Sequence, residues 1–325
     1  MTGMRAVAVR KFGGAPVITD LPVPGGQDSV LIRVSYAGVN PVDWQLVDQL
    51  TAGSSFPFVA GVDVAGVVEH VPGGEPELRV GDRVFGMARS HGSYAEYTAV
   101  PSGASTEPLA RIPGNVPDDQ AAALPVAGIA ALGSLELLAL APGEHLVVVG
   151  AAGAVGGYAV QMAVARGAHV IATVRGDADT REARRLGAEE AHDVSAADAV
   201  RALREAHPDG VDAVLDTVSG PAEIKRDAEL LRPGGSLVST VFGADADWFG
   251  ERQITAHNIV GHATPFGGTP NPRQSPQGLA EIARMLAAGT ITSRIRSTAE
   301  LSEAPALLKK LRDGALRGKA VIRMR

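Results

Sequence analysis

The chain has 325 residues, of which 45% are hydrophobic and 20% charged, with a formal net charge of -6. That is the make-up of a globular protein long enough for two domains, and it lacks the basic excess that general binding to nucleic acid or an anionic membrane surface requires. Cysteine is absent, which removes disulfides, thiolate nucleophiles and thiolate metal sites together.

The eight histidines are scattered, with no pair spaced to offer two ligands on one face, so a zinc site is not expected. No apolar run is long enough to span a bilayer, and Met1-Thr2-Gly3-Met4-Arg5 leads directly into a strand. Neither a membrane helix nor a signal peptide is expected, and the cytoplasm is the expected compartment.

Strands are predicted at Arg5–Val9, Ser29–Tyr36, Asp63–Val71, Arg83–Gly86 and Tyr94–Val100, separated by turn residues such as Pro72-Gly73-Gly74 and Gly81-Asp82. This opening region is almost wholly β. From about Asp118 to Val241 the pattern alternates. Helices are predicted at Asp119–Ala139, Ala154–Arg166, Thr180–Leu186, Ala196–Ala206 and Pro221–Leu231, and strands at His145–Val149, His169–Val174, Val211–Asp216 and Ser236–Val241. Such alternation implies a parallel sheet covered on both faces. A strand at Asn258–Ala263, helices at Pro276–Ala288 and Ser302–Asp313, and a last strand at Lys319–Met324 follow. The last strand has no partner nearby in sequence and is expected to return to the N-terminal β region.

The chemistry concentrates where the first central strand ends. Val147-Val148-Val149 runs into Gly150-Ala151-Ala152-Gly153-Ala154-Val155-Gly156, then a helix former, then the apolar strand His169–Val174. Strand, glycine turn, helix and strand make a βαβ dinucleotide-binding unit, in which small residues let the backbone approach a pyrophosphate at a helix N-terminus. The spacing Gly150-x-x-Gly153-x-x-Gly156 departs from the strict fingerprint and also suits an ordinary tight turn. At the tip of the second strand, Thr173-Val174-Arg175 offers no acid for a ribose. Arg175 can pair with a 2′-phosphate, favouring NADPH over NADH, unless it is only a solvated loop residue and Asp177 reaches back to the ribose.

Further motifs occur in a fixed order: Gly38-Val39-Asn40-Pro41-Val42-Asp43-Trp44, Val59 to Glu69, Val80-Gly81-Asp82-Arg83-Val84-Phe85-Gly86, and Gly92-Ser93-Tyr94-Ala95-Glu96-Tyr97. After these come Ala121 to Gly128, Val214-Leu215-Asp216-Thr217-Val218-Ser219-Gly220, Leu231-Arg232-Pro233-Gly234-Gly235 and Gly318-Lys319. In this order they resemble, over essentially the whole chain, the zinc-independent quinone oxidoreductase and enoyl reductase branch of the medium-chain dehydrogenase/reductase superfamily. The resemblance implies an α/β protein with a GroES-like β-rich catalytic domain over 1–120 and 260–325 and a Rossmann doubly wound domain over 121–259. The zinc enzymes of the superfamily carry a ligand cysteine where this chain has Asn40, and Gly-His-Glu where it has Gly61-Val62-Asp63.

The resemblance implies an NADPH-dependent, zinc-free reductase that delivers a hydride to an α,β-unsaturated carbonyl or a quinone. The alternatives are a zinc-free carbonyl reductase and a non-catalytic NADPH-binding or redox-sensing protein. Cofactor contacts are expected from Gly150, Ala152, Gly153, Ala154, Val155 and Gly156, from Thr173 and Arg175, and from Val218 and Phe242. Asn40 is the candidate donor to an enolate oxygen in the cleft between the domains, or else only a hydrogen-bonding residue of the Asn40-Pro41 turn. Asp43 is expected to hold that loop. Trp44, Gln45, Phe56, Phe242 and Phe266 are the candidate substrate-binding residues. No tyrosine stands between Trp44 and Gln49 to protonate the α-carbon, His91 and His262 read as structural, and water is the default donor. Ala130 stands where relatives often place threonine. A homodimer paired through the edge strand within Phe242 to Ile259 is also implied.

Overall fold

In the computed structural model, residues 3–73, 77–103, 107–195, 199–241, 246–259, 269–316 and 318–324 are described. The N-terminal part is built from strands β1 (Gly3–Val9), β2 (Val17–Pro22) and β3 (Ser29–Val39), helix α1 (Pro41–Asp48), then strands β4 (Phe58–Val59), β5 (Asp63–His70), β6 (Arg83–Met87), β7 (Tyr97–Pro101) and β8 (Leu109–Arg111). The predicted strand over Tyr94–Val100 begins later than expected. Tyr94 instead donates its N–H to Ala60 and accepts from Val7, bridging two β segments rather than running along one.

The predicted single helix over Asp119–Ala139 is two: α2 (Asp118–Ala122) and α3 (Pro125–Leu138). Pro125 accounts for the break. It has no N–H for the helix ladder, and its ring disfavours helical backbone at the preceding residue.

Next come β9 (His145–Val149), α4 (Ala154–Ala165), β10 (His169–Val174), α5 (Asp177–Arg185), β11 (Glu190–Asp193), α6 (Ala199–Ala206), β12 (Val211–Asp216), α7 (Pro221–Ala228), β13 (Leu231–Ser239), α8 (Ala246–Gly250) and β14 (Thr255–Asn258). The strands form one six-stranded sheet in the order β11-β10-β9-β12-β13-β14, every neighbouring pair parallel. The central strands read as continuous apolar runs because both faces are covered: Leu146, Val147, Val148, Val214 and Leu215 have no exposed surface. Counted from β9 the order is 3-2-1-4-5-6, a doubly wound sheet whose strand order reverses between β9 and β12. β11 escaped prediction because its four residues, Glu190-Ala191-His192-Asp193, are mostly polar. The strand expected at Asn258–Ala263 lies earlier, at Thr255–Asn258, and residues 260–263 lie outside the described residues.

The chain ends with α9 (Pro276–Ala287), β15 (Ile295–Glu300), α10 (Ala304–Arg312) and β16 (Lys319–Arg323). As expected, β16 returns to the N-terminal β region. It pairs antiparallel with β3, Ala320 opposite Val39, in a sheet of order β15-β16-β3-β5-β6-β8 with β7 also on β3. The chain divides into one unit of Met1–Ala127, Gln274–Ala288 and Ser293–Arg325, and a second of Gly128–Arg273 and Gly289–Thr292. The first has a core of Val7, Ile32, Val64, Tyr94, Leu308 and Ile322 among others. The second is centred on Val147, Ile171, Leu203, Val214, Leu237 and Phe249.

Candidate functional site

In the second unit the carboxyl ends of β9 and β12 meet at Gly150. Its φ of +81° lies where L side chains are strained, and a Cβ there would stand 2.6 Å from Thr217 Oγ1 and 2.7 Å from Val218 Cγ1. The turn is closed by Gly153 N–H donating to Gly150 O (2.9 Å) and Ala151 N–H to Thr173 O (3.1 Å). Gly153 is the N-cap of α4 and provides no side-chain cap. At Gly156 a Cβ would fall 2.4 Å from Gly150 O, so only glycine lets the helix sit this close to the turn. The first N–H groups of an α-helix have no intrahelical acceptor. Here Ala152, Ala154 and Val155 are only half-buried and Gly153 is exposed, so those groups lie near the surface. An uncapped helix N-terminus behind a turn without side-chain bulk fits a pyrophosphate.

Of the other expected cofactor residues, Thr173, Arg175 and Val218 lie at or just beyond the ends of β10 and β12. Thr173, on β10, is buried level with Val149 of β9, and its Oγ1 has no hydrogen-bond partner among the described residues. Arg175 follows β10 directly and is exposed, as is Asp177 at the start of α5. Val218 is 57% exposed although it packs on Gly150, leaving an apolar side chain bare at the switch point of the sheet. Phe242 and Phe266, and with them His262, lie outside the described residues.

The segment carrying Val218 is fixed by Asp216. This fully buried carboxylate accepts from Val218 N–H (3.1 Å), Ser219 N–H (2.9 Å) and the Ser239 hydroxyl (3.0 Å). Asp227, on α7, accepts from the Ser219 hydroxyl at 2.9 Å, and burial pushes its carboxyl up to about 6.

In the first unit, Asn40 is the N-cap of α1 and Pro41 occupies the first helical position, where its missing N–H is no loss. Asp43 accepts from the Asn40 N–H at 2.7 Å, as expected of a residue that holds this loop. Asn40 itself is 2% exposed. Its Nδ2 donates to Asp63 Oδ2 (2.8 Å), and its Oδ1 accepts from Lys319 Nζ (2.6 Å). Lys319 also donates to Asp63 Oδ2 at 3.1 Å, and the other Asp63 oxygen accepts from Val126 N–H at 2.9 Å. The Tyr94 hydroxyl donates to Asp43 at 2.7 Å. Burial pushes the Asp43 carboxyl up to about 7, and burial together with the adjacent Asp43 holds the Tyr94 phenol well above its ordinary value. Trp44 is half-buried against the core of this unit, Gln45 is exposed and Phe56 is half-buried.

These residues do not suit zinc. The amide oxygen of Asn40 and one oxygen of Asp63 already hold an ammonium, and a divalent ion bound to the same atoms would face the Lys319 charge in a water-poor interior. Val62 offers no donor atom, and no metal-suited group of three histidines or carboxylates occurs among the described residues. Sequence reasoning singled out Asn40 and Asp43 but not the acid–ammonium pair behind them. The signal was a lone acid in the apolar run Val62-Asp63-Val64 and a lone lysine opening the apolar run Lys319-Ala320-Val321. Buried charges need partners.

A parallel sheet in this order, a glycine turn at its switch point and a β-rich unit completed by the C-terminal strand together define a nucleotide-binding dehydrogenase fold. Comparison with known proteins agrees. The profile of the alcohol dehydrogenase GroES-like domain matches residues 26–113, and that of the zinc-binding dehydrogenases matches residues 154–284. Quinone oxidoreductase of Rattus norvegicus is 33% identical over 242 residues, 72% of each chain. The 2-methylene-furan-3-one reductase of Solanum lycopersicum is 33% identical over 250 residues, 72% of this chain and 61% of its own length. A mycobacterial protein solved in complex with NADPH superposes with a TM-score of 0.82 at 25% identity, over 99% of this chain and all of its own. The chain belongs to the medium-chain dehydrogenase/reductase family, in its quinone oxidoreductase branch, and is an oxidoreductase.

Proposed function

We propose that the protein is an NADPH-dependent, zinc-free reductase of α,β-unsaturated carbonyls or quinones. The observation that carries this reading is the donor set at Asn40 and Asp63, already held by the Lys319 ammonium, and the turn at Gly150 and Gly156, which leaves no room for side chains, supports the cofactor. The named activities of the rat and tomato relatives support the substrate class, and the NADPH complex of the mycobacterial neighbour supports the cofactor.

When bound, NADPH supplies hydride chemistry. The chain's own residues seat and orient it. The N-terminus of α4 takes the pyrophosphate, Val218 forms an apolar wall, and Arg175 pairs with the 2′-phosphate. On the acceptor, hydride at the β-carbon sends the π electrons to the carbonyl oxygen, and a proton from water then completes the saturated product at the α-carbon. An enolate oxygen needs one or two donors rather than a metal. Asn40 has one Nδ2 hydrogen committed to Asp63 and a second left for that oxygen. The Lys319 ammonium on its Oδ1 draws electron density from the amide and strengthens the second N–H as a donor. We further propose a homodimer paired through β14, the edge strand of the six-stranded sheet, with the cytoplasm as its compartment.

The test is NADPH oxidation with a panel of enones and quinones, followed by product analysis in the presence and absence of a chelator. A saturated ketone, formed equally with chelator, is expected. An allylic alcohol would mean carbonyl reduction, loss of turnover on chelation would mean a metal, and no oxidation with any acceptor would leave a binding protein.

A further inference from the structure

The segment Asp216–Gly220 is held more firmly than a connection between β12 and α7 requires. Asp216 alone satisfies the N–H groups of Val218 and Ser219, and the Thr217 hydroxyl adds a bond of 2.8 Å to Val149 O. The Ser219 hydroxyl turns the other way, to Asp227 Oδ2 at 2.9 Å. Asp227 is 4% exposed, and the nearest opposite charge is Arg226 at 3.9 Å. A buried carboxylate is costly unless it does something for the structure around it. Here it ties helix α7 to the one residue that follows Val218.

We propose that Ser219 and Asp227 are positioning residues for the dinucleotide, fixing Val218 as a wall of the crevice above Gly150. The inference rests on the reading of that crevice as the cofactor's seat. Val218 is where small movements matter most. Its two Cγ atoms stand 2.7 and 3.1 Å from where a Cβ on Gly150 would be, so this side chain packs directly on the glycine turn, and a shift of the segment that carries it changes the surface beside the start of α4. Asp216 holds the N–H groups of Val218 and Ser219 from the strand, and the Ser219–Asp227 bond adds a second tie, from the Ser219 side chain to α7. Without the second tie the segment can rock about Asp216, and the exposed Val218 side chain moves with it. Neither Ser219 nor Asp227 needs to touch the cofactor to govern its affinity.

The experiment is calorimetric titration of the full chain with NADPH and with NADH, alongside steady-state kinetics with an enone. Ser219→Ala and Asp227→Ala are expected to weaken both cofactors alike, by about five- to tenfold, the scale of one lost buried hydrogen bond. Asp227→Asn keeps an acceptor oxygen and should stay within about twofold of wild type by the same scale. The loss should fall on the KM for the cofactor and leave the KM for the enone in place, a split that general loosening of the fold would not produce. Wild-type affinity in Ser219→Ala overturns the proposal, as does an Asp227→Asn defect equal to that of Asp227→Ala. If Asp227→Ala does not fold, Ser219→Ala, which removes a single hydroxyl, decides alone. Gly156→Val separates the two levels of inference. If it binds NADPH as wild type does, the crevice is not the seat and the reading beneath this one fails. If it loses NADPH while Ser219→Ala does not, only the positioning role falls.

Discussion

Lys319 Nζ and Asn40 Oδ1 are 2.6 Å apart, joining residues 279 positions distant through a bond buried on both sides. The last strand of the chain thereby fixes the start of its first helix. Because the same ammonium also reaches Asp63, three side chains from three elements form one closed knot, and its removal should be felt as a unit.

Lys319→Met should destabilise the protein by about 3–5 kcal/mol, because it strands the Asp63 carboxylate in a site with no exposed surface. The double variant Lys319→Met/Asp63→Asn should recover part of that loss, since the unpaired charge is gone. Denaturant unfolding of the three proteins checks this, and a double variant no better than the single one would mean that packing rather than charge dominates.

For Asn40→Ala, turnover with an enone should fall by about a hundredfold, the lower end of what a lost oxyanion donor costs. NADPH affinity should not change. Unaltered turnover would leave Asn40 with only its structural tie to Asp63 and Lys319.

Asp43 gives a stability that depends on pH, and the sign follows from its buried position. Its carboxyl rises from 3.8 to about 7 in the folded chain, so folding favours the neutral form. The contribution is fully present below pH 3.8, declines as pH rises and is gone above about pH 7; the total is on the order of 4 kcal/mol. Asp43→Asn keeps an acceptor for Tyr94 and the Asn40 N–H but cannot ionise. The difference in unfolding free energy between variant and wild type should therefore grow in the variant's favour from acid to neutral pH. A pH-independent difference would place the proton elsewhere.

Arg175→Ala tests cofactor choice. Loss of a charge-assisted phosphate pair should cost on the order of 1.5–3 kcal/mol, roughly 10- to 100-fold in NADPH affinity, while NADH binding hardly moves. An equal loss for both cofactors would mean that Arg175 does not read the 2′-phosphate, and Asp177, the next acid along the chain, would be tested as the ribose partner.

Much of this protein is determined by local sequence. Runs such as Leu146–Val149 and Val211–Leu215 are strands because β-branched and apolar residues fit a sheet buried on both faces. The glycines at 150, 153 and 156 mark the turn because any Cβ at 150 or 156 would collide with its surroundings. The absence of cysteine removed thiolate chemistry outright. Local pattern could not show what depends on distant partners. Breaking the Asp119–Ala139 run needed the weight of one proline against a strongly helical composition, and β11 exists only because β10 offers it a ladder. The roles of Asp63, Lys319 and Asp227 are of the same kind. An isolated charge in an apolar run says that a partner must exist, but only the folded chain decides that Lys319 meets Asn40 and that Ser219 turns toward Asp227. The physical reason is that burial makes each such bond strong and obligatory, while the identity of the partner is fixed by topology, which no stretch of sequence around either residue contains.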